Sequence, residues 1–265
     1  MGRGPEVVEV HGQVCLVIAF FLIAYALSWF GMLGNRLWPS SAWPLPINPL
    51  GPLVAAPLTL WLLRGRGAVR DWASRMLRFR APARIYMTAF LVPLAIIVVS
   101  AGLALATGAT ATRPAPAAVL ELLLVAPILV LMGPLPEEPG FRGLGQFELQ
   151  AVVSPFTAAI LIGVGVLIWH APLFALGNLP PPVAIAIVAV SVVYAWLYIA
   201  SGSIWPLVLL HWTQNVFGGE LVGASFEPAG NVRWLWFLAS AYVIWAAWLL
   251  MKFGPSLGRA GPRRG

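Results

Sequence analysis

Two adjacent glutamates, an arginine four residues beyond the second, two histidines and an asparagine are the residues of this chain equipped for chemistry. Glu137 and Glu138 lie in Pro136-Glu137-Glu138-Pro139-Gly140-Phe141-Arg142-Gly143. His170 lies in Trp169-His170-Ala171-Pro172-Leu173-Phe174, and His211 in Leu210-His211-Trp212-Thr213-Gln214-Asn215. Adjacent carboxylates repel one another. On a helical backbone Arg142 falls at i+4 from Glu138 and pairs with it. Glu137 then points about 100° away and is left free to act as a general base. Asn215, four residues after His211, shares its helix face. Each group also has a plainer reading: a lone buried histidine is often held by a carbonyl, and the acids could be solvated in a loop.

The elements that must carry these groups are membrane helices. Of 265 residues, 60% are hydrophobic and 9% charged, and the mean hydropathy is +0.87. A soluble domain has roughly 25% charged residues, so this chain has too little charge to cover a wetted surface. From Leu149 to Gly219 there is no Asp, Glu, Lys or Arg, a run longer than one crossing of about 20 residues. The fold class expected is all-α, a polytopic transmembrane bundle forming a single transmembrane domain over 1–265. Eight spans are expected: Val14–Leu33, Leu45–Leu63, Ile85–Thr107, Ala117–Gln150, Pro155–Leu176, Val183–Ala200, Ser203–Gly219 and Trp234–Met251. The fourth is too long for one straight crossing, and Pro134, Pro136, Pro139 and Gly140 argue against a regular helix throughout it. The first run carries Ala24-Tyr25-Ala26, which resembles a cleavage site. Glu6 and Glu9 precede it and the apolar run continues past it, so it reads as a retained helix.

Arg64, Arg66, Arg70, Arg75, Arg78, Arg80 and Arg84 face Asp71 alone in one loop, which places that loop in the cytoplasm. With eight spans both termini are then cytoplasmic. Arg3, Arg142, Lys252, Arg259, Arg263 and Arg264 fall on the same side, and Arg36, Arg113 and Arg233 opposite. Trp38, Trp43, Trp205 and Trp234 lie near span ends, where indoles favour the interface. The net charge of +7 is therefore read as topological, with lipid rather than nucleic acid as the partner. Cys15 is the only cysteine, which excludes an intrachain disulfide and a cysteine metal site.

Ionisable groups inside spans cost about 2.5–3.5 kcal/mol each on insertion scales, so each one requires an explanation. Glu121 is near a span end and can reach the interface. Glu137 lies about 25 Å of helix before the turn at Val152–Pro155, and His170 about 22 Å after it, so the two can meet. His211 lies about 12 Å into its span from Ser203, shallower by about 10 Å.

This set of motifs resembles the CAAX protease and bacteriocin-processing family, which includes type II CAAX prenyl endopeptidases and bacterial Abi proteins. Glu137, Glu138 and Arg142 match its Glu-Glu-x-x-x-Arg motif, and His211 with Asn215 its His-x-x-x-Asn motif. Phe-x-x-x-His is half met, since His170 is present but Val166 stands where Phe is expected. Tyr25-Ala26-Leu27-Ser28-Trp29 and the arginine-rich loop look like the bacterial subgroup. The resemblance implies an intramembrane endopeptidase of the bacterial cell membrane, with residues 114–219 as its core, acting on a membrane-associated peptide or protein. Glu137, assisted by His170, would activate water; His211 and Asn215 would stabilise the oxyanion; Glu138 and Arg142 would hold the site in shape. A metal-free glutamate mechanism is preferred. Zinc held by Glu137, His170 and His211 is the alternative. Two rival readings stand beside it: a non-catalytic scaffold or self-immunity protein of the same fold, and a transporter or proton relay, against which the lack of an inverted repeat counts.

Overall fold

The computed structural model describes residues 5–37 and 47–259, with side chains over 10–30 and 47–259. Twelve α-helices follow one another: α1 (Pro5–Leu37), α2 (Gly51–Arg64), α3 (Arg66–Met76), α4 (Ala83–Ala106), α5 (Pro116–Leu129), α6 (Pro134–Gly140), α7 (Phe147–Leu149), α8 (Pro155–Trp169), α9 (Ala171–Ala175), α10 (Pro182–Ser201), α11 (Trp205–Thr213) and α12 (Pro228–Phe253). Among the described residues there is no strand, only an isolated bridge between Ala111 and Phe226. The all-helical class is as expected. Trp38, Trp43, Arg3, Arg263, Arg264 and the start of the second expected span lie outside the described residues.

Among the described residues five segments are long and apolar enough to cross a membrane: Val10–Phe30, Ala83–Ala106, Pro116–Leu149, Pro182–Ser201 and Pro228–Ser256. Gly51–Arg64 and Pro155–Trp169 are apolar but shorter. Large apolar side chains such as Met87, Leu91, Leu120, Leu124 and Ile128 are exposed on their outer faces. That pattern suits a helix whose solvent is hydrocarbon. Inside, small residues let backbones approach. A Cβ at Gly163 of α8 would fall 3.0 Å from Ser191 of α10, and one at Gly140 of α6 would fall 2.5 Å from the Pro52 carbonyl oxygen of α2. α8, α10 and α12 pack side by side, and α6 is wedged against α2 and α11.

The fourth expected span is not one regular helix, as its prolines and Gly140 predict. Pro134–Gly140 is helical, because Pro134 and Pro136 occupy the first turn, where no amide has an intrahelical partner to lose. Irregularity is displaced to either side: a 3₁₀ turn at Val130–Met132 ending at Gly133, and a π-helical turn over Phe141–Gln146. A second π-helical stretch, Gln214–Val222, continues α11. Such wide turns are rare and concentrate at functional sites. The fifth expected span likewise breaks at His170, and Pro172 sits in the first turn of the short α9.

Candidate active site

Glu137 and Glu138 sit on α6, buried to 6% and 0% exposure. Adjacent on a helix, they face different neighbours. Glu138 Oε1 accepts from Nδ1 of His211 at 2.8 Å, and Oε2 lies 3.5 Å from Nε of Arg142. That second distance is too long for a full hydrogen bond, and Oε2 has none, so Arg142 acts on it through charge. The guanidinium is itself held by α10: it donates to the Ser191 hydroxyl at 3.1 Å and lies 4.4 Å over the Tyr194 ring. The carboxylate thus joins α6 and α11, while its arginine joins the π turn to α10.

The backbone N–H of Glu137 donates to the Gly133 carbonyl at 2.9 Å, but its carboxylate makes no hydrogen bond to another described residue. Its carboxylate lines a cavity of about 390 Å³ together with Glu138, Arg142, His170, His211 and Asn215. The point of closest approach is marked by Gly133. A Cβ built there would lie 3.2 Å from Glu137 Oε1, 3.3 Å from Asn215 Nδ2 and 3.8 Å from His211 Nε2. Three polar atoms from α6, the second π stretch and α11 therefore surround one small volume, which the absent side chain leaves open. Gly133→Ala places a methyl group there. The methyl group would press on the Glu137 and Asn215 side chains, each of which must give by a few tenths of an ångström. Expected is a loss of about 10²-fold in any reaction conducted at that point, the cost of misplacing a reactant by about 1 Å, with an unfolding temperature near wild type; an unimpaired Gly133→Ala protein would show that the reaction uses another part of the cavity.

His170 caps α8, and its Nδ1 donates to the Val166 carbonyl at 2.9 Å, leaving Nε2 for the cavity. Val166 contributes through its backbone, so the missing phenylalanine costs that hydrogen bond nothing. Aromatic packing comes from Trp169, edge-on to His170 at 4.7 Å and to Phe141 at 5.6 Å. The Trp169 indole donates to Ser28 at 2.7 Å, the Trp29 indole donates to the Trp169 carbonyl at 3.0 Å, and Tyr25 donates to the Gly165 carbonyl at 2.8 Å. The Tyr25–Trp29 motif of α1 is thus the clamp that holds α8 and presents His170.

The depth mismatch expected for His211 does not arise. His211 Nδ1 lies 2.8 Å from Glu138 Oε1, so α11 reaches the level of α6 although its first residues are tied to the arginine-rich loop through Ser203 and the Arg78 carbonyl. Glu121 is exposed on α5 and takes no part in the cavity.

Sequence reasoning passed over four participants. Gly133, Ser191 and Tyr194 carry no chemical signal of their own until helices cross. Glu148 did carry one: it is an acid within the fourth span, buried to 4%. Both its oxygens accept from Arg64, at 3.0 and 2.9 Å, which locks α7 to α2.

A zinc ion needs three protein ligands within about 2.0–2.2 Å of one point. Among the described residues no group of three or more His, Cys, Asp or Glu is disposed to hold a metal ion. Glu137, His170 and His211 share the cavity without forming such a cage.

Fold and cavity together define a helical membrane protein with glutamate, histidine and asparagine gathered inside the bundle. Residues 118–217 match the family model described as Type II CAAX prenyl endopeptidase Rce1-like. That segment contains all six motif residues from Glu137 to Asn215, and over it the chain is similar to the family its motifs resemble. No curated protein matches the chain.

Proposed function

We propose that this chain is an intramembrane endopeptidase of the glutamic type. The convergence of Glu137, His211 and Asn215 around the space beside Gly133 carries the reading. Glu137 takes a proton from a water, whose oxygen bonds to the scissile carbonyl carbon. The resulting oxyanion accepts from the Asn215 amide, a type of donor worth about 2.7–4 kcal/mol in such a step. The proton then passes to the leaving amine as the C–N bond breaks, giving a carboxylate and an amine.

His211 has a constraint that its motif does not reveal. With Nδ1 donating to Glu138, Nε2 carries a proton only when the ring is an imidazolium. It supports an oxyanion in that form, and otherwise accepts a proton, as His170 Nε2 can. Glu138 therefore orients His211, and Arg142 balances the carboxylate.

Eight crossings, with both termini and the arginine-rich loop in the cytoplasm of a bacterial cell, complete the proposal. The segment 114–219 is its catalytic core, and a membrane-associated peptide or protein its substrate. A non-catalytic scaffold or self-immunity protein is the rival, and cleavage separates the two: the purified chain in detergent is incubated with membrane-extracted peptides, prenylated and not, and products are read by mass spectrometry. Product from some members is expected; none across a broad library would favour the scaffold. Chelator is expected to leave the rate unchanged, because the cavity offers no three-ligand cage. Loss of activity restored by zinc would overturn the metal-free mechanism.

A further inference from the structure

The arginine-rich loop is fastened to both halves of the candidate site. α3 is amphipathic: Trp72 and Met76 are buried, whereas Arg66 and Arg70 are exposed. The Trp72 indole donates to the Pro139 carbonyl at 3.1 Å. Met76 fills the space beside Gly143, where a Cβ would strike its sulfur. The Arg75 guanidinium lies 3.9 Å over the Phe147 ring. All three contacts land on residues 139–147, which carry Arg142 and directly follow Glu138. The continuation of the loop holds α11, the helix of His211: the Trp205 indole donates to the Met76 carbonyl at 2.9 Å, Ser203 donates to the Arg78 carbonyl, and Phe79 stacks on Trp205 at 4.4 Å.

The opposite side of the element is cationic. Arg66, Arg70, Arg78, Arg80 and Arg84 are exposed, with Asp71 the only acid among them, and none of the five forms an ion pair among the described residues. We propose that this arginine face docks on anionic lipid headgroups, and that the docking braces residues 139–147 and the start of α11. Charge complementarity selects the occupant. The arginines lie in the stretch of chain that joins the apolar helix α2 to the first turn of α4, the position at which basic residues flank membrane helices, and each cation near an anionic surface strengthens binding about fivefold.

The test uses the full chain in nanodiscs of phosphatidylcholine alone or with phosphatidylglycerol, and in detergent for lipid retention by native mass spectrometry. Phosphatidylglycerol is expected to be retained over phosphatidylcholine and to slow hydrogen exchange of the 139–147 amides. Arg66→Gln with Arg70→Gln is expected to lower that retention about 25-fold and abolish the change in exchange. Trp72→Phe keeps the apolar packing but loses the indole donor; it should retain the lipid as wild type does while residues 139–147 stop responding. Equal retention of the two lipids, equal retention by wild type and the double variant, or an exchange rate indifferent to lipid would each overturn the docking. A response that survives Trp72→Phe would overturn the route. Neither readout involves peptide cleavage, so a failed cleavage assay leaves both intact.

Discussion

Glu137→Gln is expected to lower peptide cleavage about 10²- to 10⁴-fold, the contribution of a positioned general base, with expression and unfolding temperature held near wild type. Glutamine keeps the shape and polarity of the side chain and removes only its ability to accept a proton from water. The substitution breaks no hydrogen bond of the fold, because the Glu137 carboxylate lines the cavity and makes none to a described residue. The reagents are the two purified proteins at matched concentration in the same detergent, and the measurement is initial rate beside a thermal melt. Equal rates would remove Glu137 from the chemistry. An unchanged melt is what gives a loss of rate its meaning, since a buried acid that also held the fold would move both.

Glu138→Ala should fail in the opposite manner, losing about 3–5 kcal/mol of stability, the cost of removing one partner of a buried ion pair. Arg142 is 3% exposed and would keep the Ser191 hydroxyl and the Tyr194 and Phe141 rings, none of which carries a negative charge. A variant with both Glu138→Gln and Arg142→Met tests the cause. Replacing a whole buried pair by groups of similar volume is often neutral or stabilising, so the double variant should recover much of the melt. It should not recover cleavage, because glutamine holds His211 Nδ1 without the charge that supports an imidazolium. A single Glu138→Ala protein as stable as wild type would show that Arg142 finds its compensation elsewhere.

The contrast between the two acids was partly legible in the sequence. Glu138 and Arg142 stand four residues apart, and the pairing follows once the backbone between them is helical or nearly so. His211 and Asn215 have the same spacing, and the π-helical stretch that begins at Gln214 preserves their common side. Residue type alone flagged His170, because a histidine in a charge-free apolar run needs a partner. The partners themselves were not legible. That Glu138 answers to His211 as well as Arg142 depends on α6 touching α11 across 73 residues. That Ser191 holds the guanidinium depends on the close crossing of α8 and α10 at Gly163. Gly133 is unreadable in a string because its contribution is the side chain it lacks. The prolines were legible as the place where regular winding fails, but not where the distortion would fall: two of them sit in a first helical turn, where their missing amides cost nothing, and the irregular turns lie on either side. Hydropathy divides the chain into eight runs; among the described residues five helices have the length and apolarity to span alone, while α2, α8 and α11 are shorter, the last two ending beside the breaks that present His170 and Asn215.

The wide turn at Phe141–Gln146 also sets angular phase along the chain. A π-helical turn accommodates a residue that a regular helix would not, and each helical residue turns the chain by about 100°. Removing that one extra residue would restore ordinary winding and leave the helix after it nearly in phase, with Glu148 still facing Arg64. Adding a further residue would instead swing everything after it by about 100° and part that pair even though no side chain had been altered. The segment therefore tolerates the loss of its extra residue more readily than a second gain.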